Sequence, residues 1–167
     1  MKRILIITTA FLLTAGLSAF ASESKTVKPT ERVFYQLSFN KIIVENEIDI
    51  RLSENTERQI EISGDNKLVQ YVDWKISDGV LYIKSKKGSL RHKVQVSISV
   101  NQLNNIEVNG NSDLVSDGAL NSPALKVFVD GEGHIEIKNT GIIDLVTPDH
   151  ISLNVHRISG IVNVDKK

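Results

Sequence analysis

The sequence of 167 residues contains no cysteine. This absence excludes disulfide frameworks, thiolate zinc sites, thiol nucleophiles and cysteine-linked lipid anchors. Neither sign of charge is in excess, because 20 basic side chains face 20 acidic ones, and this balance gives no indication of a nucleic acid or an anionic membrane surface as partner. Aromatic residues make up 5% of the chain, so few are available to build a carbohydrate-binding platform.

The composition that remains is that of a globular domain. Hydrophobic residues account for 41% and charged residues for 24% of the chain, which fits neither a disordered protein nor a protein that spans a membrane repeatedly. At this length we expect one domain, whose folding buries roughly two-thirds of the surface of the unfolded chain.

Residues 1–21 have the pattern of a secretory signal peptide. The cations Lys2 and Arg3 precede an apolar run, and Ala19 and Ala21 supply small residues at positions −3 and −1 of a cleavage site. Cleavage after Ala21 removes two of the 20 basic residues and no acidic residue, which leaves a net charge of −2. The alternative is an uncleaved membrane anchor, because the run from Ile4 to Ala21 carries no charge and approaches the length of a membrane span. With cleavage, the sequence predicts an exported protein that is periplasmic, secreted or at the cell surface, without an integral membrane span.

After the signal peptide, the chain has the two-residue periodicity of β-strands. Residues 22–32 are polar and aperiodic, so we predict a flexible leader followed by a single domain over residues 33–167. Odd positions from Val33 through Tyr35 to Phe39 are apolar, and the apolar residues then move to even positions from Ile42 to Leu52. The change of phase at Asn40-Lys41 predicts a turn or bulge. Further strand-like runs cover residues 59–63, 74–77, 80–84 and 94–100.

Two shorter signals complete this part of the chain. Asp78-Gly79 lies between two strand-like runs and predicts a tight hairpin turn, because these residues tolerate a positive φ. Residues 67–71 are compatible with one helical turn, and nowhere else does a helical period persist. The sequence therefore predicts an all-β protein, in which Trp74 belongs to the core rather than to a ligand platform.

Beyond Asn101, apolar triplets recur between glycine and polar residues. Val108, Val129 and Val155 mark three of these triplets, and the second interval between them is longer than the first. A repeat of about 20 residues that alternates strand and turn is typical of a β-solenoid, whose coils stack their apolar faces on one another. We therefore predict that these three valines point inward in successive coils.

The order of these motifs resembles the GIN domain family, bacterial domains described as putative auto-transporter adhesin heads. The resemblance rests on residues 39–44 (FNKIIV), 47–52 (EIDIRL), 60–68 (IEISGDNKL), 75–83 (KISDGVLYI) and 102–113 (QLNNIEVNGNSD), and it extends over residues 33–164. It implies right-handed β-helix or β-solenoid-like coils in the C-terminal half and a less regular β-sheet region in the N-terminal half. The family's usual Ser-Gly turn is present here as Ser159-Gly160, whereas Asn109-Gly110 and Asp130-Gly131 replace it in the earlier coils. The resemblance transfers no catalytic residue.

Motifs that carry catalytic chemistry are not evident. Of the four histidines (His92, His134, His150 and His156), only His150 and His156 are close in sequence, and the simpler interpretation of all four is exposed turn and strand positions. Gly131-Glu132-Gly133 fits a tight corner better than a phosphate cradle, since no helix follows it. Ser112 lies in a turn without an evident base. The sequence therefore predicts no catalytic residues, no metal ligands and no cofactor.

The acidic residues of the repeat also fail to superpose. Placing Gly110 on Gly131 brings Asp113 onto His134, so a ladder of paired carboxylates for acid–base chemistry or calcium is not expected. Charge is nevertheless uneven along the chain. No acidic residue lies between Asp78 and Glu107, and five cations cluster there. These candidate polyanion-binding residues are Lys84, Lys86, Lys87, Arg91 and Lys93. The alternative is a solvated hairpin loop.

Three functions remain open at this point. The first is a non-enzymatic binding or adhesion module of the cell envelope, whose partner is an envelope glycan, lipopolysaccharide or a protein. The second is a carbohydrate-active β-helix enzyme, such as a polysaccharide lyase or hydrolase, which clustered acids in a cleft would favour. The third is a structural envelope protein that assembles into homo-oligomers through the open end of its solenoid.

Overall fold

The computed structural model describes residues 30–35, 37–148, 154–155 and 162–166. The predicted signal peptide, residues 22–29 of the predicted leader, His150, His156 and Ser159-Gly160 lie outside these residues. Within them the chain forms fourteen β-strands and one short 3-10 helix, which confirms the all-β prediction. The strands are β1 (Thr30–Tyr35), β2 (Lys41–Glu45), β3 (Asp49–Glu54), β4 (Gln59–Gly64), β5 (Val72–Ser77), β6 (Val80–Ser85), β7 (Val94–Val100), β8 (Asn105–Asn109), β9 (Leu114–Leu120), β10 (Ala124–Asp130), β11 (His134–Asn139), β12 (Ile142–Thr147), β13 (Asn154–Val155) and β14 (Val162–Lys166).

The strands form two seven-stranded sheets, each with parallel and antiparallel pairs. Sheet A has the order β1-β4-β7-β3-β9-β11-β13, and sheet B has the order β14-β12-β10-β8-β2-β6-β5. From β8 to β14, consecutive strands alternate between the two sheets, and each strand from β8 to β12 pairs in parallel with the strand two places further along the chain. Among the described strands, antiparallel pairs occur only in the N-terminal part, between β1 and β4, β4 and β7, and β5 and β6.

The repeat prediction is right for one pair of valines and wrong for the next. Val108 lies directly opposite Val129 in the ladder of β8 and β10, and both side chains are buried. Val155 lies in β13 of sheet A, where it pairs with Ile135, and not beside Val129 in sheet B. The place next to β10 belongs to β12, whose Val146 pairs with Phe128. The predicted repeat that placed Val155 after Val129 omitted β12, and it therefore matched strands of different sheets.

The core lies between the two sheets and is built by alternate residues of each strand. The even positions from Ile42 to Leu52 that carry apolar residues are buried as predicted, with at most 2% of any of these residues exposed. The phase of β1 was predicted wrongly, because Tyr35 is 61% exposed and the neighbouring Phe34 packs against the core. The Phe34 ring meets the Trp74 ring edge-on, with ring centroids 4.7 Å apart. Trp74 is thus partly buried against the core, as expected, but it also lines a surface groove together with Lys75 and Tyr82.

The turns follow the local signals of the sequence. Asp78 and Gly79 have φ angles of 51° and 74° and connect the antiparallel strands β5 and β6. The change of phase at Asn40 corresponds to the passage of the chain from sheet A to sheet B. The 3-10 helix Val69–Tyr71 occupies the predicted helical turn. Strand β1 begins at Thr30, so the end of the predicted leader is already strand.

Glycine is required where neighbouring turns stack closely. A Cβ atom on Gly131 would lie 2.3 Å from the carbonyl oxygen of Gly110, and one on Gly133 would lie 1.9 Å from that of Ser112. Both distances are shorter than any van der Waals contact, so Gly131-Glu132-Gly133 is a tight corner, as the sequence predicts. The Oγ of the buried Ser112 accepts the N–H of Ile48 at 3.1 Å, which gives this serine a structural role.

Candidate functional site

The basic segment between β6 and β7 does not form a hairpin, because β6 belongs to sheet B and β7 to sheet A. The segment crosses from one sheet to the other and is fixed at several points. The Leu90 side chain is fully buried, and its N–H donates to the Glu47 carbonyl at 2.9 Å. The N–H of Lys86 donates to the Tyr71 carbonyl at 2.8 Å, and the Oγ of Ser85 donates to the Gly88 carbonyl at 2.7 Å. Four of the five cations are therefore held on an ordered crossing loop, and Lys84 lies just before it in β6.

Three of the five predicted cations lie at the sheet B end of this segment, Lys84 in β6 and the other two at the start of the loop. Lys84, Lys86 and Lys87 are all exposed. The Lys86 Nζ lies 3.2 Å from a carboxylate oxygen of Asp73, and the Lys87 Nζ lies 4.7 Å from the centroid of the Tyr71 ring. We call these three lysines the lysine patch.

The other two cations lie toward sheet A. Lys93 is exposed, and its carbonyl accepts the N–H of Asp65 at 3.1 Å. Arg91 is partly buried, and its Nη2 donates to Asp113 Oδ1 at 2.7 Å while its Nε lies 3.9 Å from Asp49 Oδ1. The guanidinium of Arg91 is thus committed to two carboxylates of the protein, whereas Lys93 is exposed like the three lysines.

The carboxylates that hold Arg91 are a cluster that the sequence analysis missed. Ile50 of β3 pairs with Leu114 of β9, so the preceding residues Asp49 and Asp113 are neighbours. The N–H of Asp113 donates to Asp49 Oδ1 at 3.1 Å, and the N–H of His134 donates to Asp113 Oδ1 at 3.0 Å. Asp113 therefore lies beside His134, as predicted. Its neighbour on the other side is Asp49, so the expectation that acidic residues do not stack is wrong at this position.

His92 completes this cluster from the crossing loop. Its backbone N–H donates to Asp49 Oδ2 at 2.7 Å. Its Nδ1 lies 3.4 Å from Asp49 Oδ2 and 3.9 Å from Asp113 Oδ2. The structure thus gathers Asp49, His92 and Asp113 at one point beside Arg91, and this differs from the predicted absence of any candidate metal ligands. Residues 46–50 and residues 110–114 have the same order of turn, acid and apolar residue. An alignment of these two segments places Asp49 on Asp113 and would have revealed the pair of acids.

Two carboxyl groups have shifted proton affinities. Burial of Asp113 works to raise its pKa, but the N–H of His134 and the guanidinium of Arg91 outweigh this effect, so the pKa lies below its ordinary value. Burial of Glu107 also works to raise its pKa, but the hydrogen bond from Asn109 and the Lys41 Nζ at 3.1 Å outweigh this effect, so the pKa of Glu107 is lowered as well. Both groups therefore favour the charged form.

A groove with a volume of about 250 Å³ lies near the lysine patch. Its lining includes Lys75, Tyr82 and Lys84 together with the carboxylates of Glu45 and Asp73. The Lys75 Nζ lies 5.1 Å from the centroid of the Tyr82 ring, a cation–π distance. The groove therefore offers an aromatic face with charged groups of both signs around it.

The architecture and surfaces described above are those of an all-β domain that has two mixed sheets and an ordered basic crossing loop. A family model described as "Putative auto-transporter adhesin, head GIN domain" matches residues 38–147. This match covers more than half of the chain, so the protein belongs to the GIN domain family, as its motifs predicted.

Several solved structures of bacterial proteins are similar to this chain at low sequence identity. A putative adhesin from Bacteroides fragilis NCTC 9343 is 16% identical, with 85% of this chain and 98% of that chain covered and a TM-score of 0.44. A putative adhesin from Parabacteroides distasonis ATCC 8503 is 15% identical, with 84% and 93% covered and a TM-score of 0.44. A putative cell adhesion protein from Clostridium sporogenes ATCC 15579 is 15% identical, with 84% and 100% covered and a TM-score of 0.39. No curated protein matches the chain. In the described part of the chain, no helix is long and apolar enough to cross a membrane.

Proposed function

We propose that this protein is an exported, non-enzymatic binding or adhesion module of the bacterial cell envelope, and that β8 to β14 form coils of a right-handed β-solenoid. Membership of a family described as adhesin heads supports the adhesion role. The alternation of β8 to β14 between two sheets, with parallel partners about 20 residues apart, supports the solenoid. A protein of this kind acts by presenting a fixed surface to its partner.

The lysine patch is the surface that we propose for binding, and its partner is an acidic polysaccharide or lipopolysaccharide of the envelope. The observation that carries this proposal is the exposure of three lysines, Lys84 near the end of β6 and Lys86 and Lys87 on the following loop, which the buried Leu90 anchors. An anchored loop loses little conformational entropy when it binds, and clustered cations attract a polyanion over long range. Arg91 contributes less to this surface, because it is partly buried as well as paired with Asp113, whereas Lys86 stays exposed beside Asp73.

Chromatography on heparin-type and lipopolysaccharide columns tests this proposal. The wild-type protein should be retained at about 50 mM salt and released by about 300 mM, because the Debye length shortens over this range. The variant Lys84→Ser/Lys86→Ser/Lys87→Ser should not be retained. A matched control removes the same charge elsewhere, with serine at Lys41, Lys126 and Lys138, and should be retained like the wild type. Equal retention of all three proteins would show that the loop is merely solvated.

A carbohydrate-active enzyme is the second candidate, because Asp49 and Asp113 do lie close together. A glycosidase needs one carboxyl group whose raised pKa lets it donate a proton. The pKa of Asp113 is instead lowered, and Arg91 occupies the space beside both acids. We therefore favour the binding function. Incubation of the purified protein with acidic and neutral polysaccharides decides between the two, since release of reducing ends or unsaturated products would establish the enzyme.

A further inference from the structure

We propose that Asp49, His92 and Asp113 form a binding site for a divalent transition-metal ion, of which Zn²⁺ is the best example. The three donors come from three separate segments: the first residue of β3, the crossing loop and the residue before β9. One oxygen or nitrogen atom from each residue lies within 4.8 Å of the other two. This site is distinct from the lysine patch and does not depend on the proposed function.

The distances from His92 Nδ1 to the two carboxylates fit coordination of a small cation. Bonds from zinc to nitrogen and oxygen ligands measure about 2.0–2.2 Å, which places the ligand atoms of a tetrahedral site about 3.4 Å apart. His92 Nδ1 lies 3.4 Å from Asp49 Oδ2 and 3.9 Å from Asp113 Oδ2. Since the His92 side chain is 66% exposed, its ring can turn by the few tenths of an ångström that coordination requires.

The remaining contacts hold the two carboxylates in place for a ligand. Asp49 Oδ1 accepts the N–H of Asp113, and Asp113 Oδ1 accepts both the N–H of His134 and Arg91 Nη2. Oδ2 of each carboxylate faces His92, and Asp49 Oδ2 also accepts the backbone N–H of His92 at 2.7 Å. Outer contacts of this kind orient the ligands of metal sites and contribute to their affinity. With a neutral imidazole, the two carboxylates and Arg91 carry a net charge of −1, which attracts a cation.

The donor set selects the kind of ion. An imidazole nitrogen with two carboxylates suits zinc and other first-row transition metals, whereas Ca²⁺ takes six to eight oxygen ligands and Mg²⁺ prefers oxygen and water. Three protein ligands leave a fourth position for water or for a group of a binding partner. The chain contains no cysteine, and such a site requires no thiolate ligand.

Isothermal titration of the metal-stripped protein with Zn²⁺ alone tests the proposal. We expect one ion bound per chain and, for His92→Ala, an affinity reduced by about tenfold or more, in line with the loss seen when even outer contacts are removed. In the NMR spectrum of the wild type, the His92 ring signals should shift on addition of Zn²⁺. His134→Ala is the matched control and should bind like the wild type, because its imidazole is not among the proposed ligands.

Several outcomes would overturn the site. These are the absence of Zn²⁺ binding to the wild type, equal affinity of the wild type and His92→Ala, and loss of binding in His150→Ala or His156→Ala in place of His92→Ala. Asp113→Asn should also weaken binding, and a normal unfolding transition of that variant shows that the loss is not caused by misfolding. Because the titration contains no polyanion, its failure leaves the proposal for the lysine patch intact.

Discussion

Asn139, the last residue of β11, offers a sharp test of how the turns between strands are stabilised. Its side chain is fully buried. Asn139 Oδ1 accepts the N–H of Ser122 at 3.0 Å, and its Nδ2 donates to the carbonyls of Ser122 at 2.9 Å and Ile142 at 3.3 Å. One amide group therefore fastens the turn between β9 and β10 to the turn between β11 and β12.

Replacing Asn139 by alanine should destabilise the fold strongly. The substitution leaves the Ser122 N–H and C=O without these partners, and each buried polar group without a partner costs about 1–3 kcal/mol. Since water can replace part of the lost bonding, we expect a loss of about 2–4 kcal/mol. This is a large share of the roughly 5–15 kcal/mol that stabilises a typical domain.

Equilibrium unfolding in urea measures this loss, as a shift of the midpoint at constant slope. Asn163→Ala is the matched control, because Asn163 is exposed in β14 and its Nδ2 donates to Asp144 Oδ1 at 2.8 Å. Surface changes of this kind usually cost less than about 0.5 kcal/mol. The reasoning is refuted if the two variants lose the same small amount of stability.

Three further predictions concern the core, the acid cluster and export. Val129→Ala should cost about 1–3 kcal/mol through lost burial and a cavity, and the same change at Val164, which is 57% exposed, should cost clearly less in the same urea experiment. The pKa of Asp113 is lowered from 3.8, so its carboxylate stabilises the folded state above that pH, and this contribution is lost as the pH falls through the lowered pKa. The free energy of unfolding, measured between pH 5 and pH 2, should therefore depend less on pH in Asp113→Asn than in the wild type. Cleavage after Ala21 should give an exported protein that begins at Ser22, and an intact mass that includes residues 1–21 would contradict the signal peptide.

Strand periodicity predicted the buried residues well wherever one face of a strand meets the core. Ile42 and Val44 alternate with partly exposed residues, so their period of two indicated unambiguously which face of the strand is buried. In β1 this logic failed, because Phe34 and Tyr35 are both aromatic and β1 lies at the edge of sheet A, where either face can be partly covered. The choice of Phe34 depends on its contact with Trp74, which is distant in the sequence and was therefore not predictable from the local pattern.

The candidate sites depended even more on contacts between distant parts of the sequence. The five cations were visible as a run, but their division depends on the crossing of the loop between two sheets and on the burial of Leu90. Asp49 and Asp113 come from different turns of the chain, and the shift that places Gly110 on Gly131 does not bring them together. His92 joins them because the crossing loop ends beside β3, a fact that no short motif in the sequence records.

The pairing of β2 with β8 and of β3 with β9 also affects the order in which the chain can fold. Lys41 pairs with Asn105, and Ile50 pairs with Leu114, and in both cases the intervening chain includes β4 to β7. Closing so long a loop costs entropy before any contact repays it, and proteins dominated by distant pairings fold in milliseconds to seconds. Until β8 is available, one edge of β2 has no native partner. During synthesis, the first half of the domain therefore exposes a strand edge that can pair with another chain.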